Sequence, residues 1–87
     1  HGFTISLAQE NAKFGITVNT VSPGYVGTDM VMAVPEDVRA KIVAQIPVGR
    51  LGYPDEIAYA VGFFIPDEAA WITGANLSIN GGHYMGW

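Results

Sequence analysis

Residues Ile16 to Ser22 limit the possible folds more than any other stretch of this chain. Ile16, Thr17, Val18, Thr20 and Val21 are all β-branched and fit a short strand buried in a sheet. Pro23-Gly24 stops the run at once. A second strand is predicted over Ala75 to Ile79, with Leu77 and Ile79 on one face and Ser78 on the other. Asn80-Gly81-Gly82 ends it. Asn-Gly commonly opens a hairpin, but so little chain follows that a terminal turn is expected instead. The segments on either side of the first strand are helical, which predicts the order helix, strand, helix, helix, strand. Strands alternating with helices imply an α/β fold with a parallel sheet, here its later half. Two strands alone make no stable sheet. A strand that breaks into a glycine-containing loop is also where open α/β sheets place their ligands.

The helices carry their own start and stop signals. His1 to Phe14 reads as a helix closed by Gly15, the residue that best tolerates a left-handed backbone. At about 100° per residue, Phe3, Leu7 and Phe14 form one apolar stripe and Ile5, Ala8 and Ala12 another. Such a helix is either covered on two sides, by its sheet and a second subunit, or buried in one core. Pro35-Glu36-Asp37 and Pro54-Asp55-Glu56 each predict a helix with proline at its first position and acids facing the positive end of the helix dipole. The first repeats Val38, Ile42 and Ile46 and stops at Pro47. The second repeats Ile57, Val61 and Phe64 and stops before Pro66, with one further turn at Asp67 to Ala70.

Composition bears on what surrounds these elements. Charged residues make up 14% of the 87, against about 25% in an ordinary soluble domain, while hydrophobic residues reach 49%. A small chain has a high surface-to-volume ratio and should be richer in charge, not poorer. Much apolar surface is therefore expected to face protein outside this chain. The helical pattern already under way at His1 points the same way, towards part of a longer protein. There is no cysteine, so no disulfide or thiolate site, and His1 and His83 stand at opposite ends, so no metal is expected. A net charge of −4 disfavours nucleic acid. No apolar run approaches the roughly 18 residues of a membrane span and no signal peptide is visible, so no membrane partner is expected.

Three blocks carry a resemblance to a known family. They are Asn19-Thr20-Val21-Ser22-Pro23-Gly24-Tyr25-Val26-Gly27-Thr28-Asp29-Met30, the stretch Pro47 to Glu56, and Ile72-Thr73-Gly74-Ala75-Asn76 with Asn80-Gly81-Gly82. In this order and spacing the chain resembles the short-chain dehydrogenases/reductases. The resemblance implies that residues 1–87 are the C-terminal portion of one Rossmann-type, doubly wound parallel domain, with a substrate and cofactor lid at about 23–46. It also implies a cofactor site at Pro23, Gly24, Tyr25, Val26 and Thr28. Pro23 and Gly24 would shape the turn over the nicotinamide, Val26 would offer backbone groups to the carboxamide, and the Thr28 hydroxyl would bond cofactor amide or phosphate. Gly24 and Tyr25 would border the substrate; for Tyr25 the alternative is a half-buried loop aromatic.

Within the family the likeness is to reductases of 3-ketoacyl thioesters, with acetoacetyl-CoA as substrate and NADPH as cofactor, NADH being the alternative. An acyl-carrier-protein thioester, or the alcohol or sugar of another family member, is the alternative substrate. A cytoplasmic homotetramer is implied, with the Phe3/Ile5 helix in one interface and the Leu77 to Tyr84 end in another. The family's catalytic Tyr-x-x-x-Lys pair and serine have no counterpart: Tyr25, Tyr53, Tyr59 and Tyr84 have no lysine four residues on. Gly81 and Gly82 stand at the wrong end to be the phosphate loop. By itself the stretch therefore reads as a non-catalytic lid and assembly piece. The lid residues Met30 to Pro35 hold no cation for the phosphates of CoA, and of Arg39, Lys41 and Arg50 nearby, Arg50 serves equally well as an ion-pair partner.

Overall fold

In a computed structural model, residues 1–83 are described and form the expected α/β arrangement. Helix α1 (Gly2–Asn11) runs on into a 3-10 turn at Ala12–Phe14. Strand β1 (Thr20–Pro23), helices α2 (Asp29–Met32), α3 (Glu36–Ala44) and α4 (Pro54–Phe63), a 3-10 turn at Asp67–Ala69, and strand β2 (Asn76–Ile79) follow. The two strands pair in parallel, with Thr20 opposite Asn76 and Pro23 opposite Ile79. The whole of α2 to α4 is thus the crossover between neighbouring strands.

Local signals act where expected. Gly15 closes the first helical segment at φ 73°, its N–H donating to the Ala12 carbonyl at 3.0 Å. Pro54 opens α4. Pro35 is a correction: it precedes the first turn of α3 rather than occupying it, and its carbonyl accepts the Arg39 N–H at 3.0 Å. Helix α2 was not expected. It forms because Thr28, in an extended conformation, turns its hydroxyl oxygen towards the Val31 N–H.

The first strand is shorter than its β-branched run, a second correction. Ladder pairing begins at Thr20, because opposite Ile16–Asn19 the chain passes through Gly74 at φ 71°, which breaks an extended backbone. One main-chain bond, from the Gly74 N–H to the Val18 carbonyl at 2.8 Å, is supplemented there by side chains. The Asn19 carboxamide donates to the Ile72 carbonyl at 3.1 Å and accepts the Ala75 N–H at 3.0 Å. The Val18 N–H donates to Thr73 Oγ1 at 3.0 Å.

The core is thin. Among the described residues only Ala8, Ile46, Ala60 and Ala69 are buried hydrophobics, while Trp71 is 99% exposed and Phe3 77%. Of the two stripes that begin on α1, Ala8 alone is buried, while Phe3, Ile5 and Phe14 are exposed. The radius of gyration is 15.7 Å. A compact chain of this length would have about 12 Å. Apolar faces are therefore present without the layers that would cover them.

Candidate functional site

The predicted site residues gather at the carboxyl end of β1, where that strand meets the end of β2. The Gly24 N–H donates to the Ile79 carbonyl at 2.9 Å. A Cβ on Gly24 would lie 2.9 Å from Asn80 Cβ and 3.0 Å from Asn80 Cα. Glycine is thus required here by the chain's own turn after β2, whatever lies on the other side.

Beyond Gly24 the loop is held by a single parallel bridge between Val26 and Gly52. The Gly52 N–H donates to the Tyr25 carbonyl at 3.0 Å and the Gly27 N–H to the Gly52 carbonyl at 2.8 Å. In a parallel bridge these bonds leave the N–H of the bridged residue pointing to the opposite edge. The Val26 N–H accordingly has no acceptor among the described residues, while its carbonyl accepts the Thr28 N–H at 2.8 Å. Thr28 is exposed, and its oxygen accepts the Val31 N–H at a long 3.4 Å, which leaves the hydroxyl proton free to donate. A main-chain donor and a hydroxyl two residues apart, on a loop edge at a strand's carboxyl end, suit the fixed polar contacts that a carboxamide needs. The residues present fit a nicotinamide in this respect.

Tyr25 is half-buried. Its ring lies 5.7 Å from the His83 ring, tilted by 41°. It also lines a cleft of about 120 Å³ with Ile46, Val48, Arg50, Ile79 and Asn80. A larger hollow of about 460 Å³ opens between Gly27 and Met32 on one side and Val43 and Tyr53 on the other. Another hollow, of about 510 Å³ between Tyr59, Phe63, Pro66 and Ile72, shares no residue with the loop after β1.

Both arginines near the lid are engaged. Arg39 Nη1 donates to the Met32 carbonyl at 2.7 Å and to the Val34 carbonyl at 3.4 Å, which ties the apolar lid segment to α3. Arg50 forks onto Glu56 at 2.7 and 2.9 Å and stacks 4.3 Å from the centre of the Tyr53 ring. The ion-pair alternative for Arg50 is therefore the one realised. Glu56 also reaches back to the Tyr53 N–H at 2.8 Å, which tightens the start of α4. The Arg50 bond, and after it the Tyr53 N–H, hold the Glu56 carboxyl at a pKa of about 2, from an ordinary 4.5.

A depressed carboxylate pKa stabilises the fold fully above the ordinary value and loses that contribution as pH falls through the folded one. In the complete protein, Glu56→Gln should lower the melting temperature at neutral pH. The gap from the parent should close between about pH 5 and about pH 2. Melting curves across that range check it, and a gap that does not depend on pH would remove Glu56 as the linked group.

His83 and Asn80 are the residues that sequence reasoning passed over. Their signal was the pair of glycines between them, which announces a turn but not what it meets. Among the described residues no group of three His, Asp or Glu could hold a metal ion, and no helix is long and apolar enough to cross a membrane. Tyr84, at the end of one expected interface, lies outside the described residues.

A parallel α/β unit with unpaired donors at a strand's carboxyl end has the layout of a Rossmann-type ligand-binding fold. A family model described as enoyl-(acyl carrier protein) reductase matches residues 1–84, and the chain belongs to the short-chain dehydrogenase/reductase family. It is 55% identical over 85 residues to the acetoacetyl-CoA reductase of Allochromatium vinosum, covering 98% of this chain and 35% of that protein. It is 58% identical over 86 residues to the acetoacetyl-CoA reductase of Cupriavidus necator, covering 99% of this chain and 35% of the relative. To the 3-oxoacyl-acyl-carrier-protein reductase of Escherichia coli (strain K12) it is 58% identical over 84 residues, 97% of this chain and 34% of the relative. The chain thus spans about a third of the length of these curated relatives.

Proposed function

We propose that these residues are the C-terminal part of an NADPH-dependent reductase of 3-ketoacyl thioesters, with acetoacetyl-CoA the first substrate and an acyl-carrier-protein thioester the alternative. The single observation that carries the reading is the pairing of the open Val26 N–H with the exposed Thr28 hydroxyl beside an apolar lid. The names of the relatives agree in oxidoreductase class and differ in acyl carrier. A bound nicotinamide supplies hydride to the ketone carbon. This chain's part is to hold the carboxamide through Val26 and Thr28, shape the turn through Pro23 and Gly24, and set Tyr25 beside the acyl chain. Closing the uncharged segment Met30 to Pro35 over the acyl end would keep water from that carbon. With Arg39 and Arg50 already bonded, the lid suits the acyl end of the thioester better than its phosphates. The proton donor and the residues that read the nucleotide phosphates lie outside these residues in this reading. The complete protein is a cytoplasmic homotetramer in the same reading.

Thr28→Ala tests it. In the complete protein, loss of one hydrogen bond to a polar ligand is worth about 0.5–1.5 kcal/mol, so NADPH binding should weaken a few-fold to about tenfold. Thr28→Ser keeps both the hydroxyl and the cap on α2, and should restore binding. Titration of NADPH measures both. An unchanged Kd in Thr28→Ala removes Thr28 from the site, and failure of the parent to oxidise NADPH with either thioester sinks the reading.

A further inference from the structure

We infer that His83 is a positioning residue, which holds the Tyr25 ring in place against the thioester substrate and couples it to α3. The inference rests on the reading of Tyr25 as a thioester contact.

The backbone puts His83 there. Asn80 to His83 form a tight turn, with the His83 N–H donating to the Asn80 carbonyl at 3.0 Å. Both central residues have positive φ, 60° at Gly81 and 90° at Gly82, so the chain reverses as in a type I′ turn. The Asn80 side chain reinforces it by accepting the Gly82 N–H at 3.0 Å. The turn is then gripped from both sides. Gly24 lies hard against Asn80, while the Val48 N–H donates to the Gly81 carbonyl at 3.0 Å. With its backbone so confined, His83 has little freedom beyond its own side-chain torsions.

The imidazole then makes two contacts at once. One is the tilted stack on Tyr25. The other runs from Nδ1 to the Gln45 carbonyl at 3.1 Å, at the residue that closes α3. With the proton on Nδ1, the ring donates to that carbonyl and is fixed in orientation. Tyr25 sits on a loop held by one bridge, and the aromatic partner of its ring is His83. The ring of His83 thus acts as a stop: without it, Tyr25 can swing away from the cleft. Because the same imidazole touches the end of α3, displacement of that helix is felt at Tyr25.

The test is steady-state kinetics of the complete protein with acetoacetyl-CoA and NADPH. His83→Ala should raise the thioester KM about two- to tenfold, the size of an aromatic contact, with the NADPH KM unchanged. His83→Phe keeps a ring without the bond to Gln45 and should recover most of the loss. Tyr25→Ala with His83→Ala should be no worse than Tyr25→Ala alone, since His83 acts through that ring. Losses that add, or a His83→Ala enzyme with normal KM where Tyr25→Ala is impaired, overturn the role of His83 alone. Equal rises in both KM values without rescue by phenylalanine show a collapsed turn and overturn it too. If Tyr25→Ala itself leaves the thioester KM unchanged, the substrate role of Tyr25 falls, and this inference with it.

Discussion

Produced alone, the 87-residue chain is expected to aggregate, or to lose structure gradually on heating, rather than melt as a folded monomer. Its buried hydrophobics among the described residues are three alanines and Ile46. Fully burying a large apolar side chain is worth about 1.5–3 kcal/mol. Trp71, Tyr59, Met30, Phe3 and Ile65 are each at least three-quarters exposed and contribute little of this. A domain is stable by only about 5–15 kcal/mol, so leaving five such side chains in water removes an amount of the same order. The parallel pair of strands cannot make up the difference, because isolated two-stranded sheets are marginal even as hairpins. Circular dichroism during heating, with sedimentation at the same concentration, checks the expectation. A sharp, reversible transition in a monomer would falsify it.

Gly81→Ala should be among the most damaging single changes in the complete protein. At φ 60° an alanine pays the left-handed conformational cost of roughly 1–2 kcal/mol. Its Cβ would also stand 2.9 Å from Ile46 Cγ2 and 3.3 Å from Val48 Cβ. Ile46 is the one large side chain buried among the described residues, at 5% exposure, so it has little room to yield. Overpacking of this kind typically costs another 1–3 kcal/mol. Together the loss should be about 2–5 kcal/mol. Gly15→Ala is the matched control: φ is 73° there and nothing lies within 4 Å of the added carbon, so only the conformational cost applies. Denaturant unfolding of both variants separates the two contributions. A Gly81→Ala loss no larger than that of Gly15→Ala would mean the turn relaxes away from Ile46.

What the sequence determined by itself is governed by short-range chemistry. Gly15 ends a helical segment because a left-handed residue is needed there, and Pro54 opens a helix because its missing N–H is not needed at that position. The strands were legible as β-branched or alternating runs, and helices between them required a crossover, which the parallel pairing of Thr20–Pro23 with Asn76–Ile79 bears out. The loop from Pro23 to Thr28 was legible too, as a strand broken by Pro-Gly within a block that resembles one family.

Tertiary structure decided what depends on partners remote in the chain. The start of β1 is set by where β2 can pair, so β-branched residues at Ile16–Val18 lie outside the ladder. Thr28 caps a one-turn helix as well as offering a hydroxyl, and nothing local separates those roles. Gly24 is glycine because a Cβ there would stand 2.9 Å from Asn80 Cβ, and the Tyr25 ring meets that of His83. Each of these contacts joins the loop after β1 to the turn after β2. Residue type and spacing along the chain carry no record of them, because parallel pairing brings the two strand ends together only after the crossover has formed.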